Sequence, residues 1–205
     1  MWKSRNGFVF EGQVETPVEV WNRAEGAFRE FTIAQPKIDS RGSHGQTETP
    51  AWTPPSIGHF KVCCDAAFDK QSGKAAAAAV ARDSTGAIVS GASDCFFAPS
   101  ASSAEALAIR LGVSLALNAG LDHVTFESDC KDVVYRLISG VHSSWESAAV
   151  EEDILYRASS LSTCSFSFIP RTCNRVADWV AKNVLKGLCP RDWVITIPTD
   201  LMSLL

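Results

Sequence analysis

No stretch of eighteen apolar residues occurs anywhere in the 205-residue chain, so no membrane span is expected. The start, Met1-Trp2-Lys3-Ser4-Arg5-Asn6-Gly7, lacks the long apolar core of a secretory leader. A non-secreted protein of the nucleus or cytoplasm is the expectation. Basic excess is also missing: 19 Lys and Arg face 23 Asp and Glu, a net charge of −4. Charge alone therefore does not announce a nucleic-acid binder, nor does it exclude one whose acidic residues hold metal. The seven cysteines, at 63, 64, 95, 130, 164, 173 and 189, include no C-x-x-C pair and are odd in number. They read as reduced and mostly buried. Four ligands at zinc spacing cannot be drawn from them and the four histidines. No internal repeat is found. What is present is globular: 46% apolar and 20% charged residues exclude a disordered or collagen-like chain.

The order of patterns gives the organisation. Residues 1–34 form an N-terminal extension, with a basic-aromatic stretch followed by a helix over 17–33 carrying Val20, Ala24, Ala27, Phe28 and Phe31 at helical spacing. Residues 35–58 have few apolar side chains and read as a linker. Residues 59–193 read as an α/β domain, and 194–205 as an apolar tail. Within the domain, strands are expected at 59–68, 75–82 and 87–97, joined by short turns into an antiparallel meander. The second is an alanine run whose composition favours helix; its short length, Gly73 and the Asp83-Ser84-Thr85-Gly86 turn decide for strand. A helix over 102–118 follows, with Ala104, Leu107, Ala108, Leu111 and Leu115 as its apolar stripe. Then come a strand at 123–127, helices at 129–139 and 147–161, a strand at 165–169 and a helix at 173–185.

Four carboxylates stand at the edges of these elements: Asp65 closing the first strand, Glu105 in the first helical turn, Asp129 after the fourth strand, and Asp178 in the last helix. Each has two readings. Glu105 completes a capping box with Ser102, Asp129 caps the next helix, Asp178 pairs with Lys182, and Asp65 belongs to a turn. Alternatively they converge, because a hard divalent cation needs oxygen ligands from separate elements.

Residues 59–185 resemble the type 1 ribonuclease H domain, in the plant version found alone or at the end of non-LTR retrotransposon polyproteins. The matching pieces are Phe60-Lys61-Val62-Cys63-Cys64-Asp65-Ala66-Ala67-Phe68-Asp69, Val80-Ala81-Arg82-Asp83-Ser84-Thr85-Gly86, Ala104-Glu105-Ala106-Leu107-Ala108 and Phe126-Glu127-Ser128-Asp129. Ile169-Pro170-Arg171-Thr172-Cys173-Asn174-Arg175-Val176-Ala177-Asp178-Trp179-Val180-Ala181-Lys182 completes them. Trp2 to Phe10 and the tail from Pro198 are similar to segments that flank this domain in such polyproteins.

The resemblance implies a five-stranded mixed sheet, three antiparallel strands then two parallel, flanked by helices. It implies hydrolysis of the RNA strand of RNA–DNA hybrids with two Mg²⁺ ions, Mn²⁺ being the alternative; a monomer is expected. Asp65 would bridge the ions, Asp178 would share the one activating water, and Glu105 and Asp129 would hold the other. Asn174 would contact substrate or begin a helix; Arg171 and Arg175 would touch phosphates or be plain exposed charges.

The chain departs from this pattern in three places. Phe168 stands where the family has a histidine, ten residues before the last aspartate, which implies low turnover. His142 lies in a different loop and does not replace it. Ala66 stands where glycine would let a nucleic-acid strand approach. Val141-His142-Ser143-Ser144-Trp145 replaces a lysine-rich protrusion, and Trp145 reads as a packing residue. The competing reading is a catalytically impaired nucleic-acid-binding or structural module, or a retroelement remnant, on the same fold.

Overall fold

Five consecutive alanines, Ala75 to Ala79, form a strand against their helical propensity because both faces of that strand are covered. In the computed structural model, which describes residues 50–141 and 145–204, β1 spans Phe60–Phe68, β2 Lys74–Arg82 and β3 Ile88–Phe97. Helix α1 (Ala101–Asn118), β4 (His123–Ser128), α2 (Lys131–Ser139), α3 (Trp145–Ala158) and β5 (Thr163–Phe168) follow. A 3₁₀ turn at Arg171–Cys173 leads into α4 (Arg175–Leu185), and α5 (Thr199–Met202) is a single turn in the tail. The described residues belong to one compact unit. Expectations for residues 1–49 and His142 fall outside the described residues, as does the side chain of Trp145.

The sheet order is β3-β2-β1-β4-β5. β1 pairs antiparallel with β2, and β2 with β3; β4 runs parallel to β1 and to β5. This is the expected mixed sheet. Alternation in β1 and β2 sends Val62, Cys64, Ala77, Ala79 and Ala81 into a core with α1, α2 and α3. It sends Cys63, Ala78 and Val80 into a second core with α4, Trp193 and Leu201. Small side chains on β2 let helices approach from both sides.

Several boundaries differ from the sequence reading. The buried seam of α1 includes Ala104, Ala108, Ile109, Gly112, Val113, Leu115 and Ala116, whereas Leu107 and Leu111 are only half-buried. Gly112 explains this. A Cβ there would lie 2.5 Å from Cys64 Sγ and 3.2 Å from Val62 Cγ1, so α1 seats on β1 through its small residues. The segment from Pro50, expected to be the end of a linker, is docked: Trp52 lies under the Arg82 guanidinium, 3.3 Å from the ring centroid. The 194–205 tail likewise contributes to the core through Leu201, which is fully buried.

Candidate active site

Asp65 sits inside β1 opposite Ala78, three residues before the strand ends, and is 4% exposed. The turn reading of Asp65 is thereby corrected: a ladder residue with a buried carboxyl is no turn residue. Glu105 is the fifth residue of α1. Ser100 caps that helix by accepting the Ser103 N–H at 3.1 Å, so the Ser102–Glu105 capping box does not form. The Glu105 carboxylate instead accepts the backbone N–H of Ala66 on β1. Asp129 follows β4 directly, but α2 begins only at Lys131, with Cys130 as cap position and no side-chain cap bond. The cap reading of Asp129 fails as well, and its Oδ1 accepts from Asn174 Nδ2 at 3.0 Å.

Oxygens of Asp65, Glu105 and Asp129 all lie within 4.8 Å of one another. Asp178, in the first turn of α4, is not in that group. Its Oδ1 accepts from Arg171 Nη2 at 3.1 Å and its Oδ2 from Lys182 Nζ at 2.7 Å, so the expected Asp178–Lys182 pair exists.

Asn174 occupies the cap position of α4 without capping it. It is fully buried, and Nδ2 donates to Cys64 O and Asp129 Oδ1, both at 3.0 Å, with a longer 3.4 Å approach to Asp65 Oδ1. The amide thus faces the carboxylates. Arg175 is exposed and lines a cleft of about 430 Å³ with Trp52, Arg82 and Thr172, to which none of the four carboxylates contributes. Phe168 ends β5 opposite Ser128, the residue before Asp129, and is 45% exposed.

Burial and crowding favour the protonated forms of Asp65 and Glu105. Burial first, then the charges of Glu105 and Asp129, pushes Asp65 up to about 9. Burial and Asp129 push Glu105 up to about 8, against the Ala66 N–H and Arg171, which stabilise its charge. Glu105 Oε2 is buried and has no hydrogen-bond partner. Buried oxygens without partners are costly. Hard oxygen donors converging from β1, α1 and the end of β4 match the donor chemistry of Mg²⁺ or Mn²⁺. The residues present therefore fit a divalent cation.

Residues 63–184 match the model of the reverse transcriptase-like family. The chain belongs to that family. No curated protein matches it. Among solved structures, it is similar to a ribonuclease H1 from Halobacterium salinarum, at 21% identity and a TM-score of 0.60, over 63% of this chain and 98% of that one. The N-terminal ribonuclease H domain of a Mycobacterium tuberculosis protein is 17% identical with a TM-score of 0.59, over 65% and 96%. A compost-derived ribonuclease H1, solved with an RNA/DNA hybrid, is 18% identical with a TM-score of 0.56, over 62% and 97%. At these identities the likeness establishes a ribonuclease H-like fold.

A second buried cluster, not expected from the sequence, centres on Glu127. Glu127, 3% exposed, accepts from Trp52 Nε1 at 2.7 Å and pairs with Lys61 Nζ at 3.0 Å. Cys63 donates to it at 3.4 Å, and Arg82 donates to Cys63 Sγ at 3.3 Å. The available signal was Trp52 itself, a large apolar residue in an otherwise polar, proline-rich stretch. Lys61 also donates to Thr53 O at 2.8 Å, so this cluster fixes the segment to the sheet.

Proposed function

We propose that this protein is a divalent-metal-dependent endonuclease that cuts the RNA strand of RNA–DNA hybrids. One observation carries the reading: three carboxylates from separate elements converge within 4.8 Å. Asp65, Glu105 and Asp129 would hold the cation, Mg²⁺ first and Mn²⁺ as alternative, and Asp178 would join a second. Such ions lower the pKa of a bound water and stabilise charge on the departing 3′ oxygen. Asp65 and Glu105 must shed their protons to bind metal. Asn174 keeps the Asp129 carboxylate oriented and ties it to the β1 backbone. Arg171 lies where it can meet a phosphate, and Arg175 offers a second basic contact outside the carboxylate group.

The ribonuclease H1 structure with bound hybrid supports the choice of substrate by fold alone. A second reading, an impaired hybrid-binding module, is favoured by Phe168, a side chain without a transferable proton at the carboxylate end of β5. The plant retroelement origin and intracellular location rest on the resemblance and on seven free cysteines. Among the described residues, no helix is long and apolar enough to cross a membrane. The chain is expected to act as a monomer.

The deciding experiment is a gel assay on a labelled hybrid, with Mg²⁺ or EDTA, using the natural chain and Asp65→Asn. The expected result is metal-dependent cutting of the RNA strand, reduced at least about 10²-fold in the variant, since removing a charge-stabilising group costs that much. Binding without cutting by the natural chain would favour the second reading.

A further inference from the structure

The fourth carboxylate of the site is held by cations of the chain itself. Both oxygens of Asp178 are engaged, Oδ1 by Arg171 at 3.1 Å and Oδ2 by Lys182 at 2.7 Å. Asp178 is the one of the four expected ligands outside the group that converges within 4.8 Å. Arg171 and Lys182 approach from different sides of the sequence. Lys182 is one turn along α4, a local pair of the same helix. Arg171 belongs to the 3₁₀ turn before α4, and its charge also acts on Asp65, Glu105 and Asp129. Arg171 therefore bonds Asp178 directly and lies near enough to the other three carboxylates for its charge to be felt there.

We propose that Arg171 is an exchangeable latch on Asp178, a positioning residue that holds the fourth carboxylate until a phosphate of the nucleic acid takes the guanidinium. This rests on the nuclease reading and deepens it, because it couples substrate arrival to completion of the metal site. The chemistry of the exchange is favourable on three counts. A guanidinium fork matches a phosphate as well as it matches a carboxylate. The Arg171 side chain is 71% exposed, so the pair is a weak, solvent-facing one. Leaving Asp178 does not strand its carboxylate, because Lys182 keeps the other oxygen. With Arg171 gone to phosphate, Asp178 has a free oxygen for a cation.

The latch predicts effects of opposite sign for one substitution, which a merely structural arginine would not produce. Mn²⁺ binding to the full chain, without nucleic acid, is titrated by calorimetry and by the electron paramagnetic resonance of free Mn²⁺. Arg171→Met is expected to tighten binding about 5-fold, the upper end for an exposed ion pair. The same variant should bind an RNA–DNA hybrid more weakly in the absence of divalent metal, with a salt slope smaller by about one. In an Asp178→Asn background, Arg171→Met should change Mn²⁺ affinity less than 2-fold, because the partner it releases is gone.

A gain that persists undiminished in the Asp178→Asn background would overturn the latch in favour of general charge repulsion. Equal Mn²⁺ affinity in the natural chain and Arg171→Met would overturn the latch alone. Absence of Mn²⁺ binding in every form would overturn the metal-dependent nuclease reading and the latch with it.

Discussion

Phe168 sits opposite Ser128, the residue before Asp129, in the β4–β5 register and is 45% exposed. A general acid or base at such a place contributes about 10² or more to a hydrolysis, and a phenyl ring contributes none. Because the side chain is outside the core, replacing it costs little stability, within about 0.5 kcal/mol. Phe168→His is therefore expected to raise kcat on an RNA–DNA hybrid at least about tenfold, with Mn²⁺ affinity unchanged. Single-turnover kinetics alongside a metal titration checks both halves. An unchanged rate would mean that proton transfer at this edge of the sheet does not limit the reaction. Asn174 shows a different relation between residue type and role. The resemblance gives it a substrate contact, and in the folded chain its amide is buried against Asp129 and the Cys64 carbonyl.

The placement of Glu105 depends on how closely α1 lies against β1. Gly112 sets that distance, since a methyl group there would meet Cys64 Sγ at 2.5 Å and Val62 Cγ1 at 3.2 Å, both in the closed core. Alanine would gain about 1 kcal/mol of helix propensity. The overlap costs about 1–3 kcal/mol in a well-packed core, and more where nothing yields. The clash is expected to win. Gly112→Ala should destabilise the fold by a net of up to about 2 kcal/mol, read as a lower urea midpoint, and weaken Mn²⁺ binding, because α1 carries Glu105 away from the Ala66 N–H. A midpoint that rises would show that Cys64 moves aside instead. The same scale shows what the sequence made legible. Alternation in β1, the turn after β2 and the glycines after α1 and α2 marked elements whose existence and order all hold. Residue spacing says less about capping. Ser102 and Asp129 fit cap rules by spacing, but Ser100 and the Cys130 position begin those helices, which frees Glu105 and Asp129 for the cluster. The docking of Trp52 was hidden because it depends on Arg82, Glu127 and Lys61, which are distant in the chain and invisible to local pattern.

For the molecule as a whole, the acid cluster ties stability to pH. Asp65 moves from 3.8 to about 9 on folding and Glu105 from 4.5 to about 8, both chiefly through burial. Raised carboxyl values mean that the folded chain binds more protons than the unfolded chain between those limits. Stability then falls as pH rises, by linkage, and the loss is complete only above the folded values. The opposite contribution comes from Asp69, Asp83, Asp122 and Asp153, whose values are lowered by hydrogen bonds. Their stabilisation is lost as pH falls below the ordinary carboxylate range, so above pH 6 it is constant. The buried thiols Cys63 and Cys64, pushed up by burial, act in the same direction as the cluster but only near and above 9, where unfolded thiols ionise. Between about pH 6 and 8 the cluster is thus the changing contribution among these groups. A divalent cation bound at the cluster would take the place of the protons and reverse the penalty, and its binding would release protons. The melting temperature of the metal-free chain should therefore decline from pH 6 to 8, and saturating Mg²⁺ should remove most of that decline. Asp65→Asn should flatten the metal-free slope, because its amide has no proton to lose. Thermal melts at fixed ionic strength measure all three. A metal-free melting temperature that rises over this interval would mean that Asp65 and Glu105 are already ionised in the folded chain, and that their charges are compensated by Arg171 and the Asn174 amide without metal.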